Sequence, residues 1–207
     1  LTCDSCKYSR SQMEKYLHLS IDIADNSSSS GGMEEGLRKF FAPERREIKC
    51  EKCFCESATQ STEITKLPPA LLFHFKRFIV DVSPDYSSVT YRKNQSSVEF
   101  SERLSLDDAH SVLKEFMADD VTVPEPPTSA LHFATTTTPS YQIRSIVNHI
   151  GSSASCGHYT ADGNRLTTGG DRTWTRFNDS IVTSITPEEA MGKSTTKTAY
   201  MVLYELQ

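Results

Sequence analysis

The chain has 207 residues, with 37% hydrophobic and 24% charged side chains, 9 Gly and 9 Pro; this excludes collagen-like and wholly disordered chains and suits one large domain or two modest lobes. Its 22 Lys+Arg against 27 Asp+Glu leave a net charge of −5, which argues against a nucleic-acid partner, because phosphate neutralisation dominates that affinity, and favours a basic protein surface. No apolar run approaches the ~18 residues that span a bilayer, so no membrane partner is expected. The opening Leu1-Thr2-Cys3 reads as the start of a fragment.

In chain order, Lys15–Ile23 alternates, with Leu17, Leu19, Ile21 and Ile23 on one face, and predicts a half-buried strand. Asn26–Gly32 is a Ser/Gly loop. Met33–Phe41 predicts a short helix with Leu37, Phe40 and Phe41 at helical spacing and Pro43 beyond its end. Glu63–Leu67 and Leu71–Val80 read as strands broken by Pro68-Pro69. Leu71–Phe75 is apolar at nearly every position, so both of its faces are expected to be covered. Asp107–Asp119 predicts a helix carrying Val112, Leu113, Phe116 and Met117, and Val121–Ser140 is a Pro/Thr-rich functional loop or insertion. Tyr141–Ile150, His158–Ala161, Trp174–Phe177 and Ala199–Leu206 read as strands. Strands without alternating helices point to an antiparallel sheet and an α+β architecture.

Cys3-x2-Cys6 and Cys50-x2-Cys53 carry metal-ligand spacing. Two residues between cysteines let one turn present both sulfurs to one ion, and two such turns close a tetrahedral Zn2+ site with four thiolates. With no open coordination position the zinc is structural, and thiolates that hold metal imply a reducing compartment, hence an intracellular, cytoplasmic or nuclear protein. Disulfides or unmetallated thiols are the alternatives. Cys55 competes as a ligand, and Cys53 is preferred because it repeats the x2 spacing.

Gly157-His158-Tyr159 and Phe177-Asn178-Asp179 flank a turn signal, Thr167-Thr168-Gly169-Gly170-Asp171. A hairpin centred on 168 sets His158 opposite Asn178. An Asn carbonyl there accepts the Nδ1 proton of the imidazole and fixes the tautomer in which the other nitrogen deprotonates a nucleophile; an Asn suits a cysteine nucleophile. The competing reading is a structural histidine, which is how His18, His74, His110, His132 and His149 are read. Cys156 is two residues from His158 and is read as a small thiol, not the nucleophile.

These pieces occur in a set order. The cysteine pairs and Leu37-x2-Phe40-Phe41 are followed by Leu67-Pro68-Pro69-Ala70-Leu71-Leu72-Phe73-His74-Phe75-Lys76-Arg77-Phe78 and Val98-Glu99-Phe100. Then come Tyr141-Gln142-Ile143, Val147-Asn148-His149-Ile150-Gly151, Gly157-His158-Tyr159-Thr160-Ala161, Trp174-x2-Phe177-Asn178-Asp179 and Ala199–Tyr204. In that set the chain resembles the C-terminal two thirds of the ubiquitin-specific protease catalytic domain, nearly end to end.

The resemblance implies a partial domain of a papain-like, right-hand cysteine protease fold. Residues 1–66 would be zinc-ribbon fingers with the helix at 33–41, and 67–207 an antiparallel palm with an insertion or loop at 107–140. It implies His158 as catalytic base, Asn178 as third triad member, Asp179 as supporting acid, and the Gly151–Gly157 loop as a border of the channel for the ubiquitin tail. Ubiquitin or ubiquitinated proteins are the implied partners. The family's Cys nucleophile and oxyanion Asn lie in an N-terminal thumb segment that precedes Leu1, so this polypeptide alone is expected not to turn over. Ser101 stands where the family usually has Pro. A ubiquitin-binding pseudoenzyme and a zinc-ribbon scaffold are the rival readings.

Overall fold

The computed structural model describes residues 1–24, 32–105, 113–122, 124, 140–153 and 156–207. In chain order its elements are β1 (Thr2–Cys3), β2 (Leu19–Ile21), α1 (Met33–Phe41), β3 (Glu44–Arg46), β4 (Ala58–Gln60), β5 (Ile64–Lys66), β6 (Ala70–Phe75), β7 (Phe78–Val82), β8 (Val89–Lys93), β9 (Arg103–Ser105), β10 (Met117–Thr122), β11 (Ser140–Ile150), β12 (His158–Leu166), β13 (Arg172–Asn178), β14 (Ile181–Ile185), α2 (Pro187–Met191), α3 (Lys193–Thr198) and β15 (Ala199–Leu206).

Eight strands make the main sheet, in the order β14-β13-β12-β11-β15-β6-β2 with β9 added beside β11. Its pairings are antiparallel except β2 on β6, which is parallel. A three-stranded sheet, β1-β4-β3, carries the cysteines, and β7-β8 and β10-β5 form two-stranded ribbons. One face of the main sheet is the core: Phe73, Phe75, Ile146, Val202 and Tyr204 are fully buried there beneath Leu37 and Phe41 of α1. That helix spans the expected residues, with Glu34 and Glu35 in its first turn and Arg38 and Lys39 in its last, matching its dipole. Gly36 lets α1 settle on β2, since a Cβ there would stand 2.0 Å from Ile21 Cγ2.

Several expectations change. The strand over Lys15–Ile23 shrinks to β2, because only Leu19, Ser20 and Ile21 find partners on β6; Leu17 is 93% exposed. Leu71–Phe75 alternates buried and half-buried instead of being covered on both faces. The run to Val80 breaks at Arg77, which turns inward to be fully buried. Its guanidinium donates to the carbonyls of Ala199 (2.5 Å), Asn94 (3.1 Å), Ser96 (2.9 Å) and Thr196 (2.8 Å), and burial pushes its pKa down to about 10. Of the helix expected over Asp107–Asp119, residues 107–112 lie outside the described residues; 114–116 form a 3-10 turn and Met117–Asp119 open the strand β10, pairing in parallel with β5. The loop over 26–32 and the insertion at 107–140 fall largely outside the described residues, as do His110 and His132.

Candidate active site

The hairpin β12–β13 closes over the Gly169-Gly170 turn, but its register is centred one residue later than expected. Asp162 pairs with Arg176 and Ala161 with Phe177, so the pairing turns about 169 and sets Asn178 diagonal to His158 instead of directly across. A diagonal two residues off still shares a face and lies within reach of long side chains. His158 Nε2 stands 2.5 Å from Asn178 Oδ1. An amide oxygen only accepts, so Nε2 is the donating nitrogen and Nδ1 is the edge left open. This reverses the tautomer expected from the sequence and turns Nδ1 away from Asn178.

Asp179 Oδ2 lies 4.0 Å from the same Nε2 and its side chain is 80% exposed, beyond hydrogen-bond reach. It sits at φ 51 in the two-residue turn joining β13 to β14, a left-handed position that Asp tolerates better than most residues. His158 itself is 44% exposed. It has one fixed edge and one open edge, the arrangement a general base needs.

Beneath the pair runs a buried polar ladder that the sequence reading missed. Asp162, with no exposed surface, accepts two bonds from Arg176 (2.7 and 2.9 Å) and one from Asn148 Nδ2 (3.2 Å). Asn148 Oδ1 in turn accepts from Thr198 (3.0 Å). These rungs tie β13, β12 and β11 to the end of α3 on the same face as His158 and Asn178. Symmetry about residue 168 sets Asp162 opposite Trp174, so the one-residue shift in register is what brings Arg176 across from it.

The segment before His158 is anchored from below. Lys93 is buried and donates from Nζ to the carbonyls of His149 (2.6 Å) and Gly151 (3.0 Å); burial, then the Arg77 charge, lowers its pKa. Gly151 adopts φ 142, and at Gly157 a Cβ would stand 2.1 Å from His149 Nε2. His149 is thus a packing histidine: burial, then Lys93, lowers its pKa, and its ring meets Phe78 edge-on at 5.1 Å. His74, half-buried, accepts or donates at Nδ1 with Ser20 (3.1 Å). His18 is exposed and stands edge-on to His74 at 5.7 Å. Cys156 is exposed and in no disulfide among the described residues.

The four cysteines converge. The Sγ atoms of Cys3, Cys6, Cys50 and Cys53 lie within 4.8 Å of one another, with Cys3–Cys53 at 3.5 Å and Cys6–Cys50 at 3.7 Å. A disulfide needs ~2 Å, whereas tetrahedral Zn–S bonds of ~2.3 Å put sulfurs ~3.8 Å apart, so the set fits a metal. The two turns are near copies. Lys7 (φ 61) and Phe54 (φ 60) follow the second cysteine of each pair in left-handed geometry. The amides of Lys7 and Phe54 donate to Cys3 and Cys50, and the amides of Cys3 and Cys50 donate to Tyr8 and Cys55. Cys55 therefore occupies the place of Tyr8, a backbone acceptor, and its thiol turns to the Ser57 carbonyl at 3.8 Å, which separates it from the ligand set.

Comparison with known proteins matches this geometry. The family profile described as "Ubiquitin carboxyl-terminal hydrolase" matches residues 1–204. "Ubiquitin carboxyl-terminal hydrolase 36" of Drosophila virilis is 30% identical over 99% of this chain and 14% of its own length; "Ubiquitin hydrolase B" of Dictyostelium discoideum is 28% identical over 94% of this chain and 35% of its own length. A solved structure of the yeast SAGA DUB module superposes with a TM-score of 0.70 at 26% identity, covering 100% of this chain and 39% of that one. The chain thus spans between about a seventh and two fifths of the proteins it matches. Its fold is the α+β, papain-like fold of those neighbours, and the chain belongs to the ubiquitin carboxyl-terminal hydrolase family.

Proposed function

We propose that this chain is the base-bearing part of a deubiquitinating cysteine protease, with fingers drawn from residues 1–66 around the cysteine ribbon and a palm from 67–207 that β2 and α1 join. The observation that carries the proposal is the 2.5 Å contact between His158 Nε2 and Asn178 Oδ1 at the open end of the β12–β13 hairpin, where the imidazole is half-exposed. In the full-length protein a cysteine outside these 207 residues presents its thiol to His158 Nδ1. Proton transfer gives a thiolate–imidazolium pair, oriented by Asn178. The thiolate attacks the carbonyl of ubiquitin's last glycine, the tetrahedral intermediate collapses, and His158 returns the proton to the leaving amine. Water, deprotonated by the same ring, then hydrolyses the thioester and frees the cysteine. Asp179 adds negative charge near the imidazolium without sharing its hydrogen bond.

Cys3, Cys6, Cys50 and Cys53 are assigned to a structural Zn2+ that joins two turns 43 residues apart in sequence. Bound there, the ion supplies cross-linking and no reaction step. The partners are ubiquitin and ubiquitinated proteins, met inside the cell. In the full-length protein, His158→Ala should lower kcat/KM for ubiquitin C-terminal aminocoumarin amide by about 10³-fold or more. Unchanged kcat/KM contradicts the assignment. Ubiquitin binding without hydrolysis by the unmodified protein would favour a binding module instead.

A further inference from the structure

The outer edge of β14 is unguarded. Edge strands are usually blunted by Lys, Pro, a bulge or a covering element. Ile181-Val182-Thr183-Ser184-Ile185 has no charge and no proline, and its register with β13 runs without a bulge from Asn178↔Ile181 to Trp174↔Ile185. Among the described residues no strand pairs with its other side. In an antiparallel pair closed by a two-residue turn, alternate residues face the partner strand. Ile181, Thr183 and Ile185 therefore bond to β13, while the N–H and C=O of Val182 and Ser184 point outward, and among the described residues no main-chain bond outside the ladder takes them up. Ile181 and Val182 are 60% and 56% exposed.

This edge begins where the site ends. Asn178 closes β13, Asp179 turns the chain, and β14 leads away from the His158–Asn178 pair. The charged residues nearest β14 in sequence are acidic, Asp179 before it and Glu188 and Glu189 after it; of the basic residues next beyond them, Arg176 and Lys193, Arg176 is already paired with Asp162. An extended, positively charged segment matches both the open hydrogen-bond row and the flanking charge.

We infer that the β14 edge receives, as an added antiparallel strand, the segment of the ubiquitinated protein around its conjugated lysine, on the leaving-amine side of the scissile bond, with the positive charge coming from neighbouring Lys or Arg because the conjugated lysine is a neutral amide. Val182 and Ser184 would each exchange a pair of main-chain bonds with residues two apart in that segment. The inference rests on the proposed function and adds a substrate feature to it: preference for extended acceptor segments over folded or helical ones.

The test compares two substrates with the full-length protein: ubiquitin aminocoumarin amide, which has no acceptor polypeptide, and ubiquitin isopeptide-linked to the lysine of an extended ten-residue peptide. Val182→Pro and Ser184→Pro each delete an outward N–H while sparing the ladder to β13. Either should lower the ratio of kcat/KM, peptide over aminocoumarin, about tenfold. With the unmodified enzyme, N-methylation along the peptide should raise KM about tenfold at alternate residues and leave those between unaffected. A flat methylation profile, a ratio unmoved by either proline, or self-association that the prolines abolish without moving the ratio overturns the inference. Failure to cleave the aminocoumarin substrate at all would sink the proposed function and this inference together; cleavage with an unmoved ratio sinks the inference alone.

Discussion

The cysteine ribbon and the His158 hairpin are held together by opposite means. Around the ribbon, β3 is wholly exposed and β4 contributes only Ala58 to the buried set, so its order rests on two copied turns, four sulfurs and a few polar links such as those from Ser57 and Thr59 to the Asp4 carboxylate. The hairpin stands on a sheet whose core face is fully buried and whose strands are cross-linked by Asp162, Arg176 and Asn148. A site that needs only convergence can be built from short turns and an ion. A site that must hold one nitrogen 2.5 Å from one oxygen is built on a rigid element with buried polar bonds beneath it.

The largest expected effect separates the two supports. Stripping metal with a chelator, or Cys50→Ser, should collapse amide-exchange protection over residues 1–10 and 44–60, since structural zinc supplies on the order of 10 kcal/mol of folding energy, while β11–β13 keep theirs. Loss of protection in both regions would mean that the ribbon also props the sheet.

Next is the ladder. Asp162→Ala leaves Arg176 and Asn148 without their acceptor and should lower unfolding free energy by about 3 kcal/mol, read as a shift in the urea midpoint at unchanged slope. Arg176→Ala should cost at least as much, because the Arg176 side chain is 35% exposed and can reach water whereas the Asp162 carboxylate cannot. The reverse order would place the electrostatic weight on the guanidinium.

Gly157→Ala is smaller, about 1–3 kcal/mol, because the added methyl meets the His149 ring; differential scanning calorimetry should show it, and the neighbouring His158 should lose hydrolytic rate in the full-length protein. The smallest effect is the pH dependence of the sheet. Burial depresses the pKa of His74 and of His149 below the ordinary 6.5. Above that value both are neutral in folded and unfolded chains; as pH falls through it, the unfolded chain takes up protons that the folded sheet refuses. Tm should therefore drop between pH 7 and 5, and His149→Phe should flatten part of the drop.

How much of this was legible beforehand follows from what each feature depends on. The cysteine set was readable because CxxC spacing is local. The helix over 33–41 was readable because Leu37, Phe40 and Phe41 carry helical spacing between a Gly pair and Pro43. The pairing of 158 with 178 was readable as symmetry about a Gly-Gly turn, although the register slips by one and the ring presents Nε2 where Nδ1 was expected, since nothing in sequence sets a side-chain rotamer. The strand β14, exposed at four of five positions, has no periodicity to betray it. Lys93 and Arg77 were invisible because their acceptors are main-chain carbonyls, which any sequence supplies. Leu17 was misassigned because alternation continues past the point where β6 offers a partner.

The most direct test of the central claim is a double-mutant cycle on His158 and Asn178 in the full-length protein, with kcat/KM for ubiquitin aminocoumarin amide as the readout. If Asn178 acts only by orienting the ring, Asn178→Ala costs about 10- to 100-fold in the presence of His158 and nothing further in the His158→Ala background. Losses that simply multiply would show the two side chains working independently and contradict the account.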